Sequence, residues 1–188
     1  MKIFLICGAS RHGKDTIGGF IEKYCNENSI KVCRTQISKY LKMYVKDYFG
    51  WDGSEETKPR TLLQELGTDV IRGKLNKPYF FANRTVEDLE ILSNFFDVAM
   101  VTDIRVPLEI ESVKEKFSDV VVIKVERINY ETEMTVEQQK HKIENAMNDY
   151  NDYDYILIND TLEKLEQDVI KVLNKEIIIN ENNTYLSE

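Results

Sequence analysis

No apolar run in this 188-residue chain approaches the length of a membrane span, and no signal-peptide pattern precedes its first apolar stretch. A membrane is therefore not an expected partner. Cysteine is scarce: Cys7, Cys25 and Cys33 are an odd count without metal-ligand spacing. Each lies in an apolar segment, so buried free thiols in a reducing cytoplasm are expected. Positive charge is outweighed. Lys and Arg number 25 against 33 Asp and Glu, a net charge of −8 that argues against a general nucleic-acid surface. It leaves room for a small phosphorylated substrate, because a few arginines in a cleft set the local field. Internal repeats and low-complexity blocks are missing too. The three prolines, Pro59, Pro78 and Pro107, each fall where a helix is expected to begin. What remains is an ordinary globular balance, 42% hydrophobic and 31% charged, in a chain long enough for one domain with a full core.

The chain is organised around its first stretch. Lys2 to Cys7 reads as a buried strand, with β-branched or aromatic residues at several positions. Gly8-Ala-Ser-Arg-His-Gly13-Lys14 then fits the Walker A spacing of a glycine, four residues and Gly-Lys. From Thr16 to Asn26, Ile17, Phe20, Ile21, Tyr24 and Cys25 fall on one helical stripe. Strand, glycine turn and helix form the context in which backbone N–H groups cradle a phosphate, the helix N-terminus adds positive potential, and Lys14 reaches the β- and γ-phosphates. The residue after Lys14 departs from the pattern. Asp15 stands where Ser or Thr is usual, and Thr16 follows it. A carboxylate beside a polyphosphate is repulsive unless it faces a metal or another cation, so Asp15 or Thr16 is expected to face Mg²⁺.

Strands and helices then alternate. A second strand is expected over Lys31 to Ile37, with Ser38 capping a helix over Lys39 to Phe49. Pro59 opens a helix running to about Arg72 and stopped by Gly73, and Pro78 opens another that packs through to Phe96. Val98 to Thr102, Val120 to Val125 and Tyr155 to Ile158 read as strands, Pro107 starts the helix between the first two, and Thr161 caps the last long helix. Ile177 to Ile179 is a candidate edge strand. The pattern predicts an α/β fold: a five-stranded parallel sheet with helices on both faces.

Ligands of such sheets bind at the carboxyl ends of the strands. Those ends carry the glycine loop, Ser38 and Lys42, Asp103 and Arg105, Glu126 and Arg127, and Asn159 and Asp160. Asp103 occupies the place of a metal-organising carboxylate, with a helix cap before Pro107 as the plainer alternative. Arg105 suits a phosphate clamp, or else an ion pair with Glu109. Arg60 and Gln64 share a helix face, where they can meet an acceptor phosphate and a base edge. Arg72 is equally a solvated residue. His141 and Glu144 suggest lid structure, substrate contact or a solvated pair. The tyrosines around Tyr150 to Tyr155 suit base stacking or a homodimer surface.

Five segments in this order resemble the phage-type deoxynucleoside monophosphate kinases. They are Gly8 to Thr16 with Gly-Lys-Asp-Thr, Ser38-Lys-Tyr-Leu-Lys42, Arg60-Thr-Leu-Leu-Gln64-Glu-Leu-Gly67-Thr-Asp69, Thr102-Asp103-Ile-Arg105-Val-Pro-Leu-Glu109, and His141-Lys-Ile-Glu144 with Tyr155-Ile-Leu-Ile-Asn159-Asp160. The animal-type phosphomevalonate kinases share the Gly-Lys-Asp loop and a similar Asp-x-Arg segment; dephospho-coenzyme-A kinase is a more distant rival. The resemblance implies a three-layer P-loop fold of the nucleoside-monophosphate-kinase type. Its core would be 1–37, 96–126 and 154–188, its acceptor-binding arm about 38–95 and its lid about 127–153. ATP with Mg²⁺ would phosphorylate a (deoxy)nucleoside monophosphate. Gly8, Ser10, Arg11, His12, Gly13, Lys14, Asp15, Thr16 and Asn159 would bind the donor. Ser38, Lys42, Arg60, Gln64, Asp69, Arg72 and Arg105 would bind the acceptor. Asp15, Thr16 and Asp103 would serve the metal, and Lys14, Asp103, Arg105 and Arg127 the transfer. Asp15 and the single lid arginine, Arg127, depart from the usual pattern, so an ATP-binding module without transfer is the alternative of another class.

Overall fold

The structure, a computed structural model, describes residues 1–128, 146–147 and 149–177. Five strands form one parallel sheet in the order β2-β3-β1-β4-β5. They are β1 (Lys2–Cys7), β2 (Val32–Thr35), β3 (Val98–Ile104), β4 (Val120–Arg127) and β5 (Tyr155–Asn159). The central strand β1 is buried from Ile3 onward because its two sides feed two cores. Phe4 and Ile6 pack with Ile17, Ile21, Leu165 and Val169, from α1 (Lys14–Glu27) and α6 (Leu162–Glu176). Ile3, Leu5 and Cys7 pack on the other side with Phe81, Leu89, Ile110 and Val113, from α4 (Phe80–Leu92) and α5 (Pro107–Lys116). Side chains alternating across a pleat thus build the expected three layers.

Element ends differ from the sequence reading where tertiary contacts intervene. β2 stops at Thr35, which leaves Gln36, Ile37 and Ser38 as the turn before α2 (Lys39–Phe49). Ser38 takes the cap position, but its side chain makes no capping bond. β3 continues through Asp103 to Ile104, and its register against β1 slips between Leu5 and Cys7. The extra β3 residue falls at Thr102–Asp103, the kind of irregularity that re-aims a side chain at a strand end. The Asp103 cap alternative fails, since Val106 is the residue that caps α5, ahead of Pro107. β4 reaches Arg127 and β5 reaches Asn159.

The helix after Pro59 changes character. It is α-helical as α3 (Arg60–Gln64) and then widens into a π-helical turn over Glu65–Lys74, passing Gly73. Leu75 N–H closes on the carbonyl of Val70, five residues back, at 2.8 Å. Such widening is rare overall but frequent at functional sites. α4 ends at Leu92, short of Phe96. Thr161 caps α6 as expected, its Oγ1 accepting the Lys164 N–H at 3.2 Å. Cys7 and Cys25 are buried free thiols, while Cys33 is half-buried. Burial pushes them to about 12, 11 and 11 respectively, so all three are inert at neutral pH. Most of the expected lid lies outside the described residues, as do His141, Glu144 and most of the Ile177–Ile179 strand. Among the described residues no helix is long and apolar enough to cross a membrane.

Candidate active site

The loop after β1 takes its shape from its glycines. Gly8 has φ +151° and Gly13 φ +110°, both in the region that favours glycine, and Arg11 between them is left-handed at +61°. A Cβ on Gly8 would lie 2.7 Å from the Val125 carbonyl oxygen, and one on Gly13 would lie 2.6 Å from Asn159 Nδ2. β4 and β5 therefore press directly on the loop. They also fasten it. Asn159 Nδ2 donates to the His12 carbonyl at 2.9 Å, and His12 Nδ1 accepts the Arg127 N–H at 3.2 Å. Burial, and then the charge of Lys14, hold the His12 imidazole below its usual pKa, so it stays neutral and keeps that acceptor. Lys14 is buried at the start of α1. Its ammonium lies across the loop, donating to the Gly8 and Ala9 carbonyls at 2.6 and 2.8 Å.

A cleft of about 370 Å³ opens beside this loop. Ser10, Arg11, Lys14 and Asp15 line it from the loop and the start of α1. Ser38, Lys42, Asp103, Arg60, Gln64, Arg72 and Arg105 line it as well. Eleven positions singled out in sequence, spread from residue 10 to residue 105, thus share one cavity. Gly8, His12, Gly13 and Asn159 shape the loop from behind. Thr16, Asp69 and Arg127 are not among the lining residues; Asp69 and Arg127 are exposed.

Two carboxylates have partners that the sequence did not reveal. Asp15 pairs with Arg34 of β2, whose Nε donates to Thr102 Oγ1 at 3.3 Å. The cation that relieves this carboxylate is thus an arginine. Asp103 ties β3 to the turn after β2. Its Oδ1 accepts the Ile37 N–H at 2.6 Å, and its Oδ2 accepts the Ser38 N–H at 3.1 Å and the Ser38 hydroxyl at 2.5 Å. Lys42 leans on Gln36 Oε1 at 2.6 Å, and burial lowers its pKa. Lys58, absent from the sequence-based set, also lines the cleft and pairs with Glu55 at 2.5 Å. Arg60 touches the same Glu55 only loosely, at 3.4 Å.

Arg72 is no solvated helix residue. Its Nη2 pairs with Glu109 Oε1 at 3.0 Å, its Nη1 reaches the Gly67 carbonyl at 3.3 Å, and its guanidinium lies 5.0 Å over the Phe81 ring. Glu109 is 1% exposed, and its other oxygen accepts the backbone N–H groups of Arg105 and Val106 at 2.8 and 3.2 Å. The carboxylate paired in sequence with the Arg105 side chain therefore binds that residue's backbone instead.

A glycine loop between the central strand and a helix N-terminus, a buried lysine across it, and a cationic cleft alongside define a kinase of the P-loop class. Solved structures agree on the fold. Shikimate kinase from Aquifex aeolicus matches with a TM-score of 0.52 at 17% identity, over 93% of this chain and 97% of that one. APS kinase from Mycobacterium tuberculosis matches with 0.51 at 12% identity, over 92% and 96%. The chain belongs to the deoxynucleotide monophosphate kinase family, whose model matches residues 35–169. No curated protein matches it significantly by sequence.

Proposed function

We propose that this phosphotransferase moves the γ-phosphate of ATP to a deoxynucleoside monophosphate. The observation that carries the reading is that one cleft is lined both by the phosphate loop with Lys14 and by Arg60, Gln64 and Arg105. The acceptor class comes from the family match.

In this reading Lys14 moves its ammonium from the Gly8 and Ala9 carbonyls to the donor phosphates, beside the loop amides. Arg60 and Arg105 hold the acceptor phosphate in line, and Gln64 meets the base edge. The attacking group is a phosphate oxygen, already ionised near neutral pH, so no general base is required. That fits Asp103, whose carboxylate oxygens are bonded to the Ile37–Ser38 turn. Asp15 and Asp103 line one cleft, with the Thr16 hydroxyl nearby in sequence, and would hold Mg²⁺ through the lone pairs that the Arg34 pair and the Ile37–Ser38 turn leave over. The ion, when bound, neutralises charge on the transferring phosphoryl group. An arm over 38–95 carries Arg60 and Gln64 to the acceptor, and a lid over 127–153, opened by Arg127, excludes water.

The experiment is a kinetic comparison of Arg60→Ala with the unaltered protein. The variant raises the acceptor KM far more than the ATP KM. Equal rises in both remove Arg60 from the acceptor end.

A further inference from the structure

Glu109 lines the same cleft as Arg60, Arg72 and Arg105. It is buried and held by three bonds from two parts of the chain. One oxygen takes the backbone N–H groups of Arg105 and Val106, at 2.8 and 3.2 Å, in the turn that delivers the Arg105 side chain. The other takes the guanidinium of Arg72, at 3.0 Å, from the π-helical turn. The same turn sets Arg72 against the carbonyl of Gly67, a five-residue spacing that a regular α-helix would not align. Arg72 and Arg105 both line the cleft, yet they come from segments more than thirty residues apart. Glu109 is the described group bonded to both.

We infer that Glu109 is the positioning residue of the acceptor site, a latch that fixes the Arg105 turn and the Arg72 guanidinium in one arrangement facing the monophosphate. The inference rests on the acceptor reading above. Its physical basis is preorganisation. Two arginines that converge on a phosphate repel each other, and a fully buried carboxylate between their segments offsets that repulsion without competing for the ligand. The single Nη2–Oε1 bond to this carboxylate, with the Gly67 carbonyl on Nη1 and the Phe81 ring beneath, holds the guanidinium from three sides, which an exposed pair does not do. A role confined to capping α5 is the simpler reading, since Glu109 accepts the cap N–H of Val106. The Arg72 bond lies outside that role.

Glu109→Gln separates the two. The amide oxygen keeps the Arg105 and Val106 bonds, while its NH₂ now meets the donors of Arg72. Steady-state kinetics with ATP and a panel of deoxynucleoside monophosphates, together with melting temperatures, give the readout. Glu109→Gln is expected to raise the acceptor KM by about tenfold or more and leave the ATP KM within about twofold. Arg72→Met gives the same split, and it carries the test if Glu109→Gln does not fold. The double variant, with no buried charge left unpaired, recovers melting temperature without recovering the acceptor KM. A folded Glu109→Gln protein with an unchanged acceptor KM, or with both KM values raised together, overturns the latch. So does recovery of the acceptor KM in the double variant. A wild-type protein that turns over no monophosphate in the panel fails the acceptor reading itself, and the latch falls with it.

Discussion

Asp15 and Arg34 form an ion pair between the first turn of α1 and the end of β2, beside the phosphate loop. Asp15 stands where a hydroxyl residue is usual, and Arg34 supplies the charge that makes it tolerable there. Arg34→Ala strands that carboxylate next to the donor phosphates. ATP binding should weaken by up to about fivefold, the size of one uncompensated exposed charge. Asp15→Ser in the same background should restore it. Calorimetric titration with ATP checks both, and an Arg34→Ala effect that persists without Asp15 contradicts the pairing role.

The loop glycines are separable from the helix glycines. Gly8→Ala puts a methyl group against the Val125 carbonyl at a backbone angle alanine rarely adopts. A loss of about 2 kcal/mol or more is expected. Gly19, in α1, has nothing within 4 Å of an added Cβ, and Gly19→Ala should be neutral or stabilising by up to about 1 kcal/mol. Denaturant melts of the two variants test the contrast. Equal stabilities would mean that β4 does not press on the loop.

Glu109 gives a pH signature. Burial pushes its carboxyl up to about 7, against the lowering influence of the Arg105 N–H, Arg72 and the Val106 N–H. Asp103 and the buried Cys7 thiol also face it. A carboxyl whose folded pKa lies above its unfolded value of 4.5 adds stability when protonated, and that stability is lost as pH rises from 4.5 through about 7. The wild-type minus Glu109→Gln stability difference should therefore fall with rising pH over that window, by on the order of 3 kcal/mol, and stay level above it. Taking the difference removes carboxylates shifted the other way, such as Glu55 and Glu176. A flat difference from pH 4.5 to 8 contradicts a buried, titrating Glu109.

Features decided by neighbours in sequence were legible before the structure. The β1–loop–α1 unit follows from glycine spacing and one apolar stripe, and the Thr161 cap from one hydroxyl before a periodic run. Convergence of Lys14, Asp103 and Arg105 follows from the rule that parallel strands end at one edge, while Arg60, on a helix, comes from the family resemblance. What was not legible depends on contacts distant in sequence. Arg34 is nineteen residues from Asp15, and no local pattern links them. The bonds from the Ile37 and Ser38 N–H groups to Asp103 could not be foreseen, because those partners are sixty-odd residues away. The π-helical turn escapes a 3.6-residue stripe, because Leu66 and Ile71 still reach the core while Arg72 is carried round to the cleft. Lys58, in a turn-rich stretch, carries no signal beyond its charge.

The most direct test of the account is product analysis. The protein is incubated with ATP, Mg²⁺ and one acceptor at a time: each deoxynucleoside monophosphate, phosphomevalonate and dephospho-coenzyme A. Chromatography then quantifies every nucleotide. Phosphoryl transfer to a deoxynucleoside monophosphate predicts ADP and a deoxynucleoside diphosphate in equal amounts, with neither formed when the acceptor is omitted or Lys14 is changed to Ala. ADP released at the same rate with and without any acceptor, or formed only with a non-nucleotide acceptor, would contradict it.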